Sequence, residues 1–358
     1  MQTGKPKSAL ILSGGGITGA MYEIGCLAAF DDYFEGTFSV RDFDIYVGTS
    51  AGGIVASLVA NGISPREIYD AIRTNRDCLL NFTPNDIYCP CTREAWNFIG
   101  RALKGIPGVG RYYFKHRKHM RLSQTLQLLA EKMPAGIFRM DNLETTLQNI
   151  FTAYDGTNDF RRLDKELYIT ATAIDSGQRV VFGDEGWNRV PISKAVAASS
   201  AIPVLIEPVS IEGRDYVDGS VANVAHLDVG IDHGADFVFI INPITHVIND
   251  ANKVCFITHD GRCGLMREMG VTFIADQANR IQRQDRMEMA LKRFRSEHPE
   301  VEMHVLEADL DEGFMFSHGH MSYATRTEVL EHAYHSAKRK LPLLREKLSH
   351  RYRREQTR

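Results

Sequence analysis

The sequence predicts an α/β fold, a three-layer α/β/α sandwich around a mostly parallel central sheet. Two short apolar runs, at 9–12 and 43–47, stop abruptly at glycine, and each is followed by apolar residues at helical spacing. Short apolar runs of this kind are typical of strands buried on both faces of a sheet. A third strongly apolar run lies far downstream at 237–241. Strands that alternate with helices favour parallel pairing, with helices on both faces of the sheet.

The other elements are predicted from the same two periodicities. The helix that opens at Ser64 has the most complete start signal, because a capping serine precedes Pro65 and Glu67. Further helices are expected at 19–30, 54–60, 122–132, 143–151, 195–201, 265–295 and from Ser322 into the tail. Further strands are expected at 167–171, 179–182 and 301–307.

The domain organisation is predicted to be a single domain over residues 1–358. The chain is 44% hydrophobic and can bury a large core. We expect that core at about 8–75 and 165–310. A helical insertion at about 78–160 interrupts it and is expected to act as a lid, and a C-terminal helix with a basic tail follows at about 322–358.

Composition limits the classes of partner and site. The formal net charge of -3 is close to balance, so nucleic acid is not an expected partner. Six scattered cysteines are too few for a disulfide scaffold, and ordinary thiols in a reducing compartment are expected. Neither Cys89–Cys91 nor Cys255-x3-His259-x3-Cys263 has the paired spacing of common zinc modules, so no metal is expected.

No signal-peptide pattern opens the sequence, and no stretch approaches the roughly 20 apolar residues that cross a bilayer. The sequence therefore predicts a cytoplasmic protein whose membrane contact is peripheral, at the inner face. The oligomeric state stays open.

Residues 48–52 form a G-x-S-x-G sequence between a predicted strand and a predicted helix. A sharp strand-to-helix turn is the geometry that exposes a nucleophilic serine, and Gly48 and Gly52 permit the turn. The helix that follows directs its positive end at the site. Ser50 is therefore the candidate nucleophile, and an ordinary glycine-rich turn is the alternative interpretation.

A serine nucleophile needs a base. Asp218 ends a short predicted strand, and Gly219 follows at once, which presents the carboxylate at a turn. Asp218 is the candidate base, although most Asp-Gly pairs are simple turns. Of the thirteen histidines, His226 lies close behind Asp218, and we interpret it as structural.

The stretch Gly14, Gly15, Gly16, Ile17, Thr18, Gly19 follows a predicted strand and opens a helix. Free backbone amides at Gly14–Gly16 are candidate donors for an oxyanion. The same stretch satisfies the G-x-G-x-x-G fingerprint of dinucleotide sites. That fingerprint needs an acidic residue at the end of the next strand, whereas Asp42 and Asp44 precede or begin it.

The three motifs together resemble the patatin-like phospholipases, specifically the bacterial-type lipid acyl hydrolases with a serine–aspartate dyad. Further matches lie at 169–172, 175–177, 181–182, 198–203 and 218–223, and the resemblance covers roughly residues 8–75 and 165–245. It implies that Ser50 is the nucleophile and that Asp218 is the base. It also implies that the amides of Gly15 and Gly16 are the main hydrogen-bond donors to the oxyanion.

The resemblance also implies a phospholipid or other acyl-lipid substrate, cleaved as a phospholipase A, lysophospholipase or esterase would, without any cofactor. Two positions depart from the family pattern. Thr18 stands where the family usually has Arg or Lys, which puts rate and substrate preference in doubt. Ser220 stands where the family often has a second glycine.

Residues 95–130 contain no Asp or Glu but many basic and aromatic residues. We hypothesise that this segment is the lid and membrane-facing surface, since basic residues attract anionic headgroups. For residues 95–130, an ordinary solvated basic surface is an equally favoured alternative. For the basic tail at 338–358, a solvated surface is the favoured interpretation.

Two other function classes stay open. One is a catalytically weak membrane- or protein-binding module on the same scaffold. The other, less favoured, is a nucleotide-binding oxidoreductase built on the glycine-rich stretch. Within the enzyme class, transfer of the acyl group to an acceptor other than water is a further alternative.

Overall fold

The computed structural model describes residues 6–91, 134–222, 225–248, 256, 262–309, 314–317 and 319–356. The strands are β1 (Lys7–Leu12), β2 (Ile45–Thr49), β3 (Cys89–Pro90), β4 (Phe138–Arg139), β5 (Glu166–Ala173), β6 (Arg179–Phe182), β7 (Val209–Ile211), β8 (Arg214–Asp218), β9 (Ala235–Asn242) and β10 (Glu302–Glu307). The helices are α1 (Gly16–Tyr33), α2 (Ala51–Ala60), α3 (Pro65–Arg73), α4 (Pro84–Ile87), α5 (Asp141–Ala153), α6 (Ile192–Ser199), α7 (Leu227–Asp232), α8 (Val271–Glu297), α9 (Phe314–Ser317) and α10 (Arg326–Gln356).

The central sheet has eight strands, and seven of them follow the order β10-β9-β1-β2-β5-β8-β7. The first five strands in this order pair in parallel, while β8 pairs antiparallel with β5 and with β7. Strand β6 also pairs antiparallel with β5. Parallel pairing requires a crossover between neighbouring strands, and the helices supply it. The predicted mostly parallel sheet is confirmed.

The two faces of the sheet carry separate cores. Leu10 and Leu12 of β1 belong to a large cluster with α1, α2, α3, α5 and α6. Ala9 and Ile11 of the same strand belong to a second cluster with α7 and α8. The alternation follows from the two-residue period of a strand, and both faces are apolar because both are covered. The three-layer α/β/α architecture is therefore confirmed.

The register of the central strands brings the predicted motifs to one edge. Leu12 pairs with Gly48, so β1 and β2 end side by side and their following loops meet. The antiparallel strand β8 ends beside β5, where Asp218 pairs with Ala171. The carboxyl ends of parallel strands are where open α/β sheets place their ligands.

Several element boundaries differ from the sequence-based expectation. The helix predicted at 265–295 is broken by Gly270, whose φ of 90° separates a short 3₁₀ turn from α8. The final helix begins at Arg326 instead of Ser322. The short strand β7 was not predicted, because only its two outer residues are buried.

Part of the predicted insertion belongs to the main core. Leu143, Leu147, Ile150 and Phe151 of α5 are buried in the same cluster as α1 and α2. The basic and aromatic segment at 95–130 lies outside the described residues, as do the helix predicted at 122–132 and Asn223. Of the helices described, none combines the length and the apolar character that a membrane crossing requires.

The expectation of ordinary thiols is wrong for one residue. Cys263 is disulfide-bonded, to a partner outside the described residues. Cys26, Cys78, Cys89 and Cys91 are free thiols.

Candidate active site

Ser50 occupies a strained turn between β2 and α2. Its backbone has φ 56° and ψ −132°, a combination that non-glycine residues rarely adopt. The flanking glycines are required by close packing. A Cβ at Gly48 would lie 2.6 Å from the Cα of Gly53, and one at Gly52 would lie 2.4 Å from the carbonyl oxygen of Leu12. The turn has the geometry of a nucleophile elbow, with the serine at its apex.

Ser199, at the end of α6, ties this turn to the sheet. The Ser50 amide donates to the Ser199 hydroxyl over 2.8 Å, and that hydroxyl donates to the Thr170 carbonyl oxygen over 2.7 Å. Both contacts are buried, where an unpaired polar group would be costly. Ser199 therefore satisfies the buried Ser50 amide and connects the strained turn to β5.

Asp218 lies at the end of β8 and is 3% exposed. Its carboxylate accepts a hydrogen bond from the Ser220 amide over 2.8 Å, and the Ser50 side chain lies close enough to lower its pKa by hydrogen bonding. Burial raises the pKa of the Asp218 carboxyl above its ordinary value, and the two hydrogen bonds and the charge of Arg283 oppose this rise. The structure thus places Ser50 and Asp218 next to each other at the same edge of the sheet.

Arg283 and His226 lie near Asp218. Arg283 of α8 is partly buried, and its Nε has no partner among the described residues. Burial lowers the pKa of the Arg283 guanidinium, and the Asp218 carboxylate raises it. His226 pairs with the Gly219 carbonyl oxygen at 3.2 Å and with Arg179 at 3.3 Å. Burial and Arg179 lower the pKa of His226 to about 4, so this ring is neutral and supports the turn.

The glycine-rich loop lies against the serine turn. Gly14, Gly15 and Gly16 all have positive φ values, which a side chain would strain. A Cβ at Gly14 would lie 2.2 Å from the Thr49 carbonyl oxygen, and one at Gly19 would lie 2.9 Å from Gly14. The loop therefore depends on glycine both for its conformation and for its approach to the turn.

The amides of this loop have different partners. The Gly14 amide donates to the Glu23 carboxyl over 2.7 Å and is already engaged. Within the part of the chain that the structure describes, the amides of Gly15 and Gly16 have no hydrogen-bond acceptor. These two amides are the ones free to donate to an oxyanion.

Thr18, at the position where the family usually has Arg or Lys, contacts the segment that precedes α10. Its amide donates to the His320 carbonyl oxygen over 3.2 Å. The His320 ring pairs with Asp276 at 2.7 Å, and Asp276 accepts from the buried Arg280 at 2.7 Å. Arg280 also donates to the Thr245 carbonyl oxygen over 3.1 Å. This partly buried network, not a cation at Thr18, connects the segments around the glycine loop.

An apolar cavity opens at Ser50. Its described lining comes from α1, α2 and α3, from the loop around α4, and from Met140, Ser200, Ile202, Tyr323 and Arg326. Aliphatic side chains such as Ile24, Leu58 and Ile72 make up most of the wall. A cavity of this composition suits a hydrocarbon chain.

The residues that a nucleotide or metal site would need are placed elsewhere. Asp44 accepts from Ser8 at the start of β1, at the sheet edge opposite the glycine loop. Asp42 is engaged in a capping box with Ser39. No cluster of three or more His, Cys, Asp or Glu side chains suited to a metal ion occurs in the described ranges.

Sequence reasoning did not identify Ser199, Glu23, Arg283 or Arg326. Glu23 had a detectable signal, since it is the one charged residue in a helical stretch that is otherwise apolar from Ile17 to Phe30. Ser199, Arg283 and Arg326 lie at the site only because segments distant in sequence pack together.

Comparisons with known proteins agree with this geometry. The family model described as patatin-like phospholipase matches residues 10–229, more than half of the chain. "Probable lipid hydrolase 463L" of Invertebrate iridescent virus 6 is 23% identical over 230 residues, covering 63% of this chain and 65% of that protein.

Two solved structures are also similar. VipD from Legionella pneumophila has a TM-score of 0.34 and 15% identity, covering 70% of this chain and 52% of VipD. ExoU of Pseudomonas aeruginosa, solved with SpcU, has a TM-score of 0.36 and 15% identity, covering 94% of this chain and 52% of that chain. The chain thus spans about two thirds of the viral relative and about half of each solved chain. With the family model matched across both the serine turn and the Asp218 strand, the chain belongs to the patatin-like phospholipase family.

Proposed function

We propose that this protein is a lipid acyl hydrolase that works through a Ser50–Asp218 dyad and an acyl-enzyme. The observation that carries the proposal is the placement of Ser50, at a strained turn that faces an apolar cavity, beside the buried Asp218 carboxyl, whose pKa the Ser50 side chain lowers. Membership in the patatin-like phospholipase family supports the same activity.

The reaction begins when Asp218 accepts the proton of the Ser50 hydroxyl and the oxygen attacks the ester carbonyl carbon. The amides of Gly15 and Gly16 donate to the oxyanion that forms. The tetrahedral intermediate collapses, the alcohol leaves with the proton from Asp218, and the acyl group stays on Ser50. Water then attacks the acyl-serine, Asp218 accepts its proton, and the bond from the acyl carbon to the Ser50 oxygen breaks. Asp218 returns the proton to Ser50 as the fatty acid is released. The raised pKa of Asp218 makes this carboxylate a stronger base than an exposed aspartate.

The test is labelling with a fluorophosphonate probe together with turnover of a p-nitrophenyl acyl ester. We expect the native protein to label, Ser50→Ala to lose all labelling, and Asp218→Asn to lose roughly 10²- to 10⁴-fold in turnover. Ser57→Ala is the matched control, because the Ser57 hydroxyl donates to Ile54 within α2 and does not line the cavity.

Labelling that persists in Ser50→Ala would contradict the proposed nucleophile. Labelling and turnover that are absent from the native protein, also in the presence of vesicles, would favour the binding-module alternative.

A further inference from the structure

Arg326 has an unusual position for a charged residue. Among the described residues that line the cavity at Ser50, it is the only one with a charged side chain. Its Nε is buried and has no hydrogen-bond partner in the structure. No carboxylate within the described ranges forms a salt bridge with it. Arg326 is partly buried and has no carboxylate partner in the described ranges, so its positive charge can attract an anion that enters the cavity.

The rest of the side chain is held in place. One Nη atom donates to the Asn75 side-chain oxygen over 2.8 Å, and the guanidinium carbon lies 4.0 Å from the centre of the Tyr323 ring. Stacking on an aromatic face and one fixed hydrogen bond orient the planar group without neutralising it. The other Nη atom has no acceptor among the described residues, and a charged guanidinium N–H forms a strong hydrogen bond to a phosphate oxygen.

We propose that Arg326 binds the phosphate of a phospholipid whose acyl chain fills the cavity and whose ester reaches Ser50. This inference rests on the proposed acyl-hydrolase function and adds a specificity-determining residue to it. Because Ser50 and Arg326 line one cavity, a single lipid can present its ester to Ser50 and its phosphate to Arg326. A neutral acylglycerol would fill the apolar wall equally well and leave Arg326 unpaired.

The test compares two lipids with the same acyl chain, a lysophosphatidic acid and a monoacylglycerol, below their aggregation concentrations. Binding is measured by calorimetry in a Ser50→Ala background, so that it does not depend on turnover. We expect the phosphate-bearing lipid to bind about 10- to 100-fold more tightly. Arg326→Gln should abolish that difference and change the affinity for monoacylglycerol by less than about twofold.

A second variant tests charge without removing the arginine. Asn75→Asp keeps the oxygen that accepts from Arg326 and from Asn81, and adds a negative charge that competes with the phosphate. It should reduce the phosphate preference as Arg326→Gln does. Arg73→Gln is the matched control, since this nearby arginine is 43% exposed and does not line the cavity.

Three outcomes would overturn the inference: equal weakening of both lipids by Arg326→Gln, a phosphate preference that survives both variants, or displacement of the lipid by inorganic phosphate alone. The last outcome would mean a free-anion site. A phosphate preference in a protein that shows no fluorophosphonate labelling would support Arg326 and contradict the hydrolase proposal, so the two failures are distinguishable.

Discussion

At the scale of single residues, Glu23 connects α1 to the reaction site. It is completely buried, one carboxyl oxygen accepts from the Gly14 amide over 2.7 Å, and the other has no partner among the described atoms. Burial raises the pKa of Glu23 to about 8. At neutral pH the group is therefore mostly protonated, and it holds the oxyanion loop without placing a negative charge behind it.

We predict an alkaline limb in the pH profile of ester hydrolysis, with a midpoint near the pKa of Glu23. Ionisation of this carboxyl puts a negative charge beside the site of the developing oxyanion and raises the barrier. Glu23→Gln keeps an oxygen for the Gly14 amide and should lose the limb, measured as kcat from about pH 6 to 10. Asp31→Asn is the control on the same helix, and a profile that Glu23→Gln leaves unchanged would contradict the prediction.

The same pKa has a consequence for stability. A carboxyl whose pKa rises from 4.5 when unfolded to about 8 when folded favours the folded state at low pH, and that advantage is lost as the pH rises between the two values. Each pH unit in this window corresponds to about 1 kcal/mol. We therefore expect the free energy of unfolding of the native protein to fall, relative to that of Glu23→Gln, as the pH rises from 5 to 8. Denaturation of both proteins at several pH values measures this difference.

At the scale of secondary-structure elements, the contact between α1 and α10 positions the wall of the cavity. Leu330, Ala333 and Ala337 of α10 are completely buried at helical spacing. The two helices approach closely because α1 has a glycine at the crossing. A Cβ at Gly25 would lie 2.4 Å from the Leu330 carbonyl oxygen. Arg326 begins the same helix, so this crossing also sets where its guanidinium lies.

Gly25→Ala is predicted to destabilise the protein by about 1 to 3 kcal/mol, because the helices must separate to accommodate the methyl group. Gly53→Ala in α2 is the matched control. Its Cβ would meet only ordinary contacts, the nearest at 3.5 Å, so the higher helix propensity of alanine should leave stability unchanged or slightly increased. Urea denaturation of both variants checks the prediction, and equal effects would mean that the crossing is not tightly packed.

At the scale of the whole molecule, the reaction site and the cavity lie on one side of the sheet. The cavity is built by the layer that contains α1, α2 and α3, whereas α7 and α8 cover the other face. A lipid would therefore approach from the side of the sheet on which α4 and α5 pack. The basic and aromatic composition of residues 95–130 makes that segment the candidate membrane-binding surface.

We predict that the protein binds vesicles more strongly as their anionic lipid content increases. The double charge reversal Arg117→Glu with Lys118→Glu should weaken binding by roughly tenfold or more, since each basic residue near the surface contributes about 1 kcal/mol. Lys292→Glu with Arg293→Glu on the exposed side of α8 changes the net charge equally and is the control. Vesicle sedimentation that responds equally to both pairs would indicate an effect of net charge alone.

The elements of the catalytic edge were predictable because their signals are local. A strand, a glycine turn and a helix are close in sequence at both Gly14–Gly16 and Ser50, and local sterics determine the turn once glycine is present. Asp218 was predictable as a turn residue, and only the resemblance to a family identified it as a base. Helix ends were less predictable, as the interruption at Gly270 illustrates.

The sequence alone determined the fold class and the order of most strands and helices, because periodicity and turn chemistry act over a few residues. Tertiary structure decided which amides are free, since Glu23 engages Gly14 only when α1 packs behind the loop. It also decided that Arg326 shares a cavity with Ser50. Contacts between such distant positions depend on how helices pack against one sheet, and no local pattern specifies that packing.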